Sequence, residues 1–283
     1  MLEVRPATLN DVRGIVAVHT AGEDFSSLSV RERYWRGGPW MSVETLSIHL
    51  NNLLLDGQLV AVAELNGKIV GEVEVLFSEE PINREIRRIG HVDLIEVHPD
   101  YGGMGIGRAL MEFVEDIARE REAEMLTVQP DEEARGFYKK LGFEEVLYEN
   151  WVVEVDTADF EAKWTKALKF FSWETVRELE LVAGRFQSSY DMWFSSFKDV
   201  FAGVHELAEA GTSGGSYYVL KHLPGRPGKA SLFLWGSSKD VESALGRAKE
   251  LGFEKVLMTL DEETAERLGT EKKGRVQIIG KGL

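Results

Sequence analysis

EVHPDYGGMGIGRALMEFVEDIA, residues 96–118, ends one kind of backbone and begins another. The extended run His91 to Val97 breaks at Pro99, passes through Gly102, Gly103, Gly105 and Gly107, and becomes helical. Ile106, Ala109, Leu110, Phe113, Val114, Ile117 and Ala118 recur at helical spacing, with Glu112, Glu115, Asp116 and Glu120 opposite them, which predicts an amphipathic helix. A strand that enters a helix through such a turn aims backbone amides and the positive end of the helix dipole at one spot, where a pyrophosphate can sit. The missing side chains let the ligand approach the backbone.

Two common phosphate-binding patterns do not fit. A Walker loop needs Lys-Ser/Thr after its last glycine, and here Arg108 and Ala109 follow Gly107; a dinucleotide fingerprint needs glycine where Leu110 stands. Val97 to Tyr101 followed by Gly102-Gly103-Met104-Gly105-Ile106-Gly107 instead resembles the coenzyme A loop of the GCN5-related N-acetyltransferase (GNAT) superfamily, Arg/Gln-x-x-Gly-x-Gly/Ala, with Gly102 in place of the Arg or Gln. Downstream, Asp131 to Phe143 resembles the family's Asn-x-x-Ala-x-x-x-Tyr-x-x-x-Gly-Phe element, with Asp131 replacing Asn as a helix N-cap.

This resemblance covers residues 1–156. It implies an α+β fold of the acyl-CoA N-acyltransferase type, a mixed, mostly antiparallel twisted sheet flanked by helices. It implies acetyl-CoA as co-substrate, in contact with Ile95, Val97, Gly102, Gly103, Met104, Gly105, Ile106, Gly107, Arg108, Asp131 and Tyr138. Acetyl would pass by direct attack of a primary amine, through a tetrahedral intermediate. Residues 157–283 are read as a second, degenerate GNAT-like domain that does not bind coenzyme A, or as an unrelated α/β companion.

Attack on a thioester needs a neutral amine, a held oxyanion and a proton for the departing thiolate. By strand alternation His91, Asp93, Ile95 and Val97 share one face, and the resemblance puts His91 and Asp93 where the family places its base. Glu72 and Glu74, alternating on the preceding strand, are second candidates. Tyr138 is the expected general acid, and the amide of Ile95 or a neighbour the oxyanion donor. The aromatic segment 21–41, with Tyr34, Trp35 and Trp40, is the candidate acceptor contact together with Glu72; the same aromatics also suit a loop pinned to the core. The scattered histidines form no metal-binding spacing.

Composition narrows the partners. Residues 1–156 hold 30 acidic and 15 basic side chains and the rest 18 of each, so the formal net charge of -15 falls on the first part. That disfavours nucleic acid and suits a small-molecule or protein amine. With no cysteine, no apolar run long enough to span a bilayer and no signal-like start, the expectation is a cytoplasmic protein without disulfides. A second class stays open: an acyl-CoA sensor without catalysis. The aromatic stretch Trp164 to Phe201 suits an interface between domains or between subunits of a homodimer.

Overall fold

The computed structural model describes residues 1–25, 27–198 and 206–283; Phe201 lies outside them. The chain opens with β1 (Leu2–Pro6), α1 (Val12–His19), α2 (Val30–Gly37) and α3 (Val43–Leu55). Then come β2 (Leu59–Leu65), β3 (Lys68–Ile82), β4 (Glu85–Val97), α4 (Ile106–Glu120), β5 (Met125–Val128), α5 (Arg135–Lys140) and β6 (Glu145–Asp156). The remainder forms β7 (Thr165–Leu168), α6 (Trp173–Val176), β8 (Leu181–Ala183), α7 (Ser189–Phe197), β9 (Leu207–Ser213), β10 (Ser216–His222), β11 (Lys229–Trp235), α8 (Val241–Glu250), β12 (Lys255–Leu260), α9 (Glu262–Arg267) and β13 (Lys272–Gly282). No helix among the described residues is long and apolar enough to cross a membrane.

Three stretches take a conformation that their composition does not announce. The segment 21–41 contains α2, started by a capping box in which Ser29 accepts from the Glu32 amide and the Glu32 carboxylate receives the Ser29 amide. The polar run Ser78 to Arg88 is not a loop: β3 continues to Ile82 and turns into β4 at Asn83 and Arg84, both at positive φ. The aromatic stretch after Trp164 contains β7 and β8 besides α6 and α7.

The described strands form one continuous sheet in the order β1-β2-β3-β4-β5-β13-β6-β12-β11-β10-β9-β7, with β8 paired to β11. The order is symmetric about its middle. Running outward from the antiparallel β13–β6 pair, β5 or β12 is antiparallel to its inner neighbour and β4 or β11 is parallel to that; β3-β2-β1 or β10-β9-β7 then follow, all antiparallel. Helices α4 and α8 follow equivalent strands, as do α5 and α9. Each half thus takes a strand from the other: β13, the end of the chain, lies between β5 and β6. The exchange leaves neither half with an open edge at the junction.

Three layers result. Helix α4 buries Ile106, Leu110, Met111, Val114 and Ala118 against β2, β3 and β5, and each large side chain so placed contributes about 1.5–3 kcal/mol. On the opposite face of β3, one core joins Ile15, Leu46 and Leu50 of the first half to Phe171, Trp193, Phe194 and Trp235 of the second. The aromatic stretch is therefore largely internal, between the halves of one chain.

Candidate active site

The glycine-rich loop folds as its sequence requires. Gly103 and Gly105 adopt φ of +75° and +82°, the left-handed region that glycine enters without a Cβ penalty. Gly105 is the N-cap of α4, and a Cβ at either glycine would meet nothing within 4 Å. The first-turn N–H groups of Ile106, Gly107 and Arg108 have no intrahelical carbonyl to bond. They open onto a cleft of about 550 Å³ lined on one side by Ile95, Val97 and the loop, and on the other by Ala134, Phe137, Lys140 and Leu141 of the α5 region.

Parallel pairing of β4 with β5 stops at Val92 with Val128, where β5 ends, while β4 runs on to Val97. Beyond Val92 that edge of β4 has no strand beside it. That edge and the start of α4 border the same cleft, with Arg108 and Lys140 among its lining residues. A backbone cradle without Cβ atoms, unbonded first-turn amides and two cations suit a pyrophosphate ligand.

Of the expected cofactor contacts, Ile95, Val97, Gly102, Gly103, Gly105, Ile106, Gly107 and Arg108 line the cleft. Met104 is 61% exposed and is not among the lining residues. The Asp131 side chain does not cap α5: the helix starts behind Ala134, whose amide bonds the Asp131 carbonyl. Tyr101, Phe137, Lys140 and Leu141 line the cleft without having been singled out, although all lie within the two quoted elements.

The strand alternation assumed for β4 is broken. The register against β3 shifts between Glu74–Leu94 and Val75–Val92, so Asp93 is the extra residue of a β-bulge. Past it the phase reverses. Ile95 and Val97 face the α4 side together with Val92, whereas Leu94 and Glu96 face the same side as His91, Glu72 and Glu74. His91 therefore does not share a face with Ile95 and Val97. It is fully buried, with Nδ1 2.8 Å from Thr127 Oγ1 and Nε2 3.0 Å from Gln187 Oε1. Burial lowers its pKa to about 4. Both ring nitrogens are occupied, Nδ1 within the first half and Nε2 by a contact that joins the halves, which leaves no lone pair for an incoming amine.

Tyr138, expected as a cofactor contact, is buried and is not among the residues lining the cleft; it lies behind Phe137, close enough to Asp93 and Asp131 to feel their charges. The ring of Tyr138 is wedged edge-on against Phe137 and Phe143. Its phenol is driven upward, first by burial and then by the negative charges of Asp131 and Asp93, so it stays protonated and remains a donor through neutral pH.

On the far side of β4 lies a polar cluster. His19 Nε2 is 2.7 Å from Glu72 Oε2, His49 Nε2 is 2.9 Å from Glu74 Oε2, and Trp40 Nε1 donates to Glu74 Oε1 at 2.9 Å. Trp40 also stacks on His19, so it is pinned by the cluster. Trp35 is 40% exposed on α2 beneath the Arg31 guanidinium, 4.5 Å from its ring centre; Tyr34 is a half-buried residue of the same helix. Neither Glu72 nor Glu74 is solvated. His19, His49 and Glu96 were not legible as site residues, because nothing in their spacing links them to Glu72.

The equivalent position in the second half is crowded by residues 159–164, and the cavity of about 380 Å³ left at the start of α8 is bordered by Asp159, Glu161, Asp240 and Glu242, carboxylates that repel a pyrophosphate. At α8 the chain at Glu161 and Ala162 passes so near that a Cβ on Gly246 would lie 2.1 Å from Glu161. Ser243 Oγ accepts from the Lys163 amide and donates to the Lys163 carbonyl. Titration calorimetry with acetyl-CoA is accordingly expected to give one site per chain; a stoichiometry of two would place a second ligand on α8.

Comparison with known proteins agrees with this geometry. Residues 56–145 match the family model described as an acetyltransferase (GNAT) domain. Over 77 residues the chain is 32% identical to a glucosamine 6-phosphate N-acetyltransferase of Trypanosoma brucei brucei, covering 27% of this chain and 52% of that protein. Over 87 residues it is 38% identical to an uncharacterized N-acetyltransferase of Methanocaldococcus jannaschii, covering 30% and 38%. The chain thus spans about half or less of the length of these curated relatives. Two crystal structures share the fold along its length. A GCN5-related N-acetyltransferase from Anabaena variabilis has a TM-score of 0.72 at 12% identity and covers 99% of this chain and 72% of its own. Another from Kribbella flavida has a TM-score of 0.64 at 16% identity and covers 100% and 72%.

Proposed function

We propose that this chain, which carries a GNAT domain at residues 56–145, is an acetyl-CoA-dependent N-acetyltransferase acting on a primary amine. The observation that carries the reading is the cleft: an amide cradle at α4 and the unpaired part of β4 border one cavity, with Tyr138 buried directly behind the lining residue Phe137. Acetyl-CoA supplies an activated thioester carbonyl. The loop amides with Arg108 and Lys140 hold its phosphates, and an amide on the unpaired part of β4 offers the oxyanion a hydrogen bond.

The amine approaches from the other face of β4. Asp93, near Tyr138, and Glu96, on the face opposite Ile95 and Val97, are the carboxylates on the part of β4 that runs past β5. Two carboxylates attract and orient an ammonium group, and either can receive its proton. The acidic first half raises the local concentration of such cations. Tyr138, held protonated, donates to the sulfur as it becomes a thiolate.

A thiol-detecting assay against a panel of amines tests this. Thiol release dependent on one amine class is the expected result; acetyl-CoA binding without release for any amine would favour the sensor reading. In the active protein Tyr138→Phe is expected to lower kcat about 10²-fold, the smaller end of what positioned acids contribute, with KM for acetyl-CoA nearly unchanged. An unchanged kcat would remove Tyr138 from the mechanism.

A further inference from the structure

One oxygen of Glu72 is bonded and the other is bare. Oε2 lies 2.7 Å from Nε2 of His19, Oε1 is buried without a hydrogen-bond partner, and the residue has no exposed surface. An orphaned buried carboxyl oxygen is costly to keep. The groups that face it are His19 from α1, His49 from α3, Glu74 two residues along β3, and Glu96 from β4. Glu96 is its direct cross-strand partner in the β3–β4 register and is only partly buried. Cross-strand neighbours on one face stand about 4.5–5.5 Å apart at Cβ, so Glu96 is the partly exposed carboxylate beside the buried Glu72.

We propose that Glu72 is the proton conduit by which the acceptor ammonium loses its proton. An N–H bond of the ammonium breaks and an O–H bond forms on Glu96. Glu96 passes that proton to Oε1 of Glu72, while the proton already on Oε2 moves to Nε2 of His19. His19, the last residue of α1, releases it toward the surface turn that follows. One proton enters and one leaves, and Glu72 is neutral before and after.

The electrostatics give each group the right resting state. Burial, and then the charge of Glu74, hold Glu72 well above the usual carboxylate range, so it carries a proton to pass on. Burial pushes Glu74 up as well, but His49 and Trp40 more than offset this and leave it lowered. Burial lowers His19 to about 4, so at rest it is a neutral acceptor, and the charge of Glu74 favours its transient protonation. Burial raises Glu96, making it a better base than a surface carboxylate.

The inference rests on the acetyltransferase reading, and Glu72→Gln separates the two. A glutamine keeps the shape and can still donate to His19, but it cannot exchange a proton. With an alkylamine acceptor, kcat of the variant is expected to fall about 10²-fold at pH 7, with KM for acetyl-CoA unchanged. The deficit should shrink as the pH approaches the amine's own value, about 10 for an alkylammonium, because free amine then needs no relay. His19→Gln, which leaves Glu72 in place, should reproduce the pattern and decides the matter alone if Glu72→Gln does not fold. Normal rates in the variants, or a deficit of equal size at every pH, would overturn the conduit while leaving the acetyltransferase intact. No thiol release from the unmutated protein with any amine would overturn both.

Discussion

Gly105→Glu is expected to weaken acetyl-CoA binding by at least about 10²-fold while the protein stays folded. Two terms contribute, and they separate. Any L-residue at φ +82° is strained, by about 1–2 kcal/mol, but no atom lies within 4 Å of the new Cβ, so the side chain fits. The second term is charge. A carboxylate at the N-cap of α4 sits where the ligand phosphates would, and like charges so apposed cost several kcal/mol. Gly105→Ala carries the strain without the charge and should bind within about tenfold of the unmutated protein, since 1.4 kcal/mol is a factor of ten. Calorimetry on both variants decides: equal affinities would mean that phosphate does not sit at the start of α4.

Glu80→Ala should have the largest effect on stability. Glu80 of β3 is fully buried and accepts from the Ser189 and Tyr190 amides, which caps α7 of the other half. It also lies 3.6 Å from Arg185, which is itself buried, with its guanidinium 3.8 Å above the Tyr148 ring. Alanine would leave a buried guanidinium paired to the less buried Glu180 and two helix amides without their acceptor. Breaking a buried pair from one side costs about 3–5 kcal/mol. Denaturant titration measures it; a loss below about 1 kcal/mol would show that this junction does not organise the two halves. Glu80→Gln keeps an acceptor for the amides and should fall between.

Much of the site was legible in the sequence because it depends on neighbours along the chain. A glycine-rich turn before an amphipathic helix specifies its backbone locally, and the loop from Gly102 to Arg108 lines the cleft that the resemblance implied. Tyr138 lies within the second quoted element and packs between Phe137 and Phe143 of that same element. The base did not follow from spacing. Period-2 alternation along β4 assumes an unbroken ladder, and the bulge at Asp93 reverses it, turning Glu96 rather than Ile95 toward Glu72.

By itself the sequence determined the elements whose formation is local: the glycine-rich loop, with Gly103 and Gly105 at positive φ, and the amphipathic helix α4. Tertiary structure alone decided that β13 closes the first half, that Gln187 saturates His91, and that α1 and α3 deliver His19 and His49 to the glutamates of β3. The physical reason is separation along the chain. Local backbone preference acts over a few residues, whereas these contacts join residues 25 to 96 or more positions apart, and they are selected by which buried polar groups and strand edges must be satisfied once the core has formed.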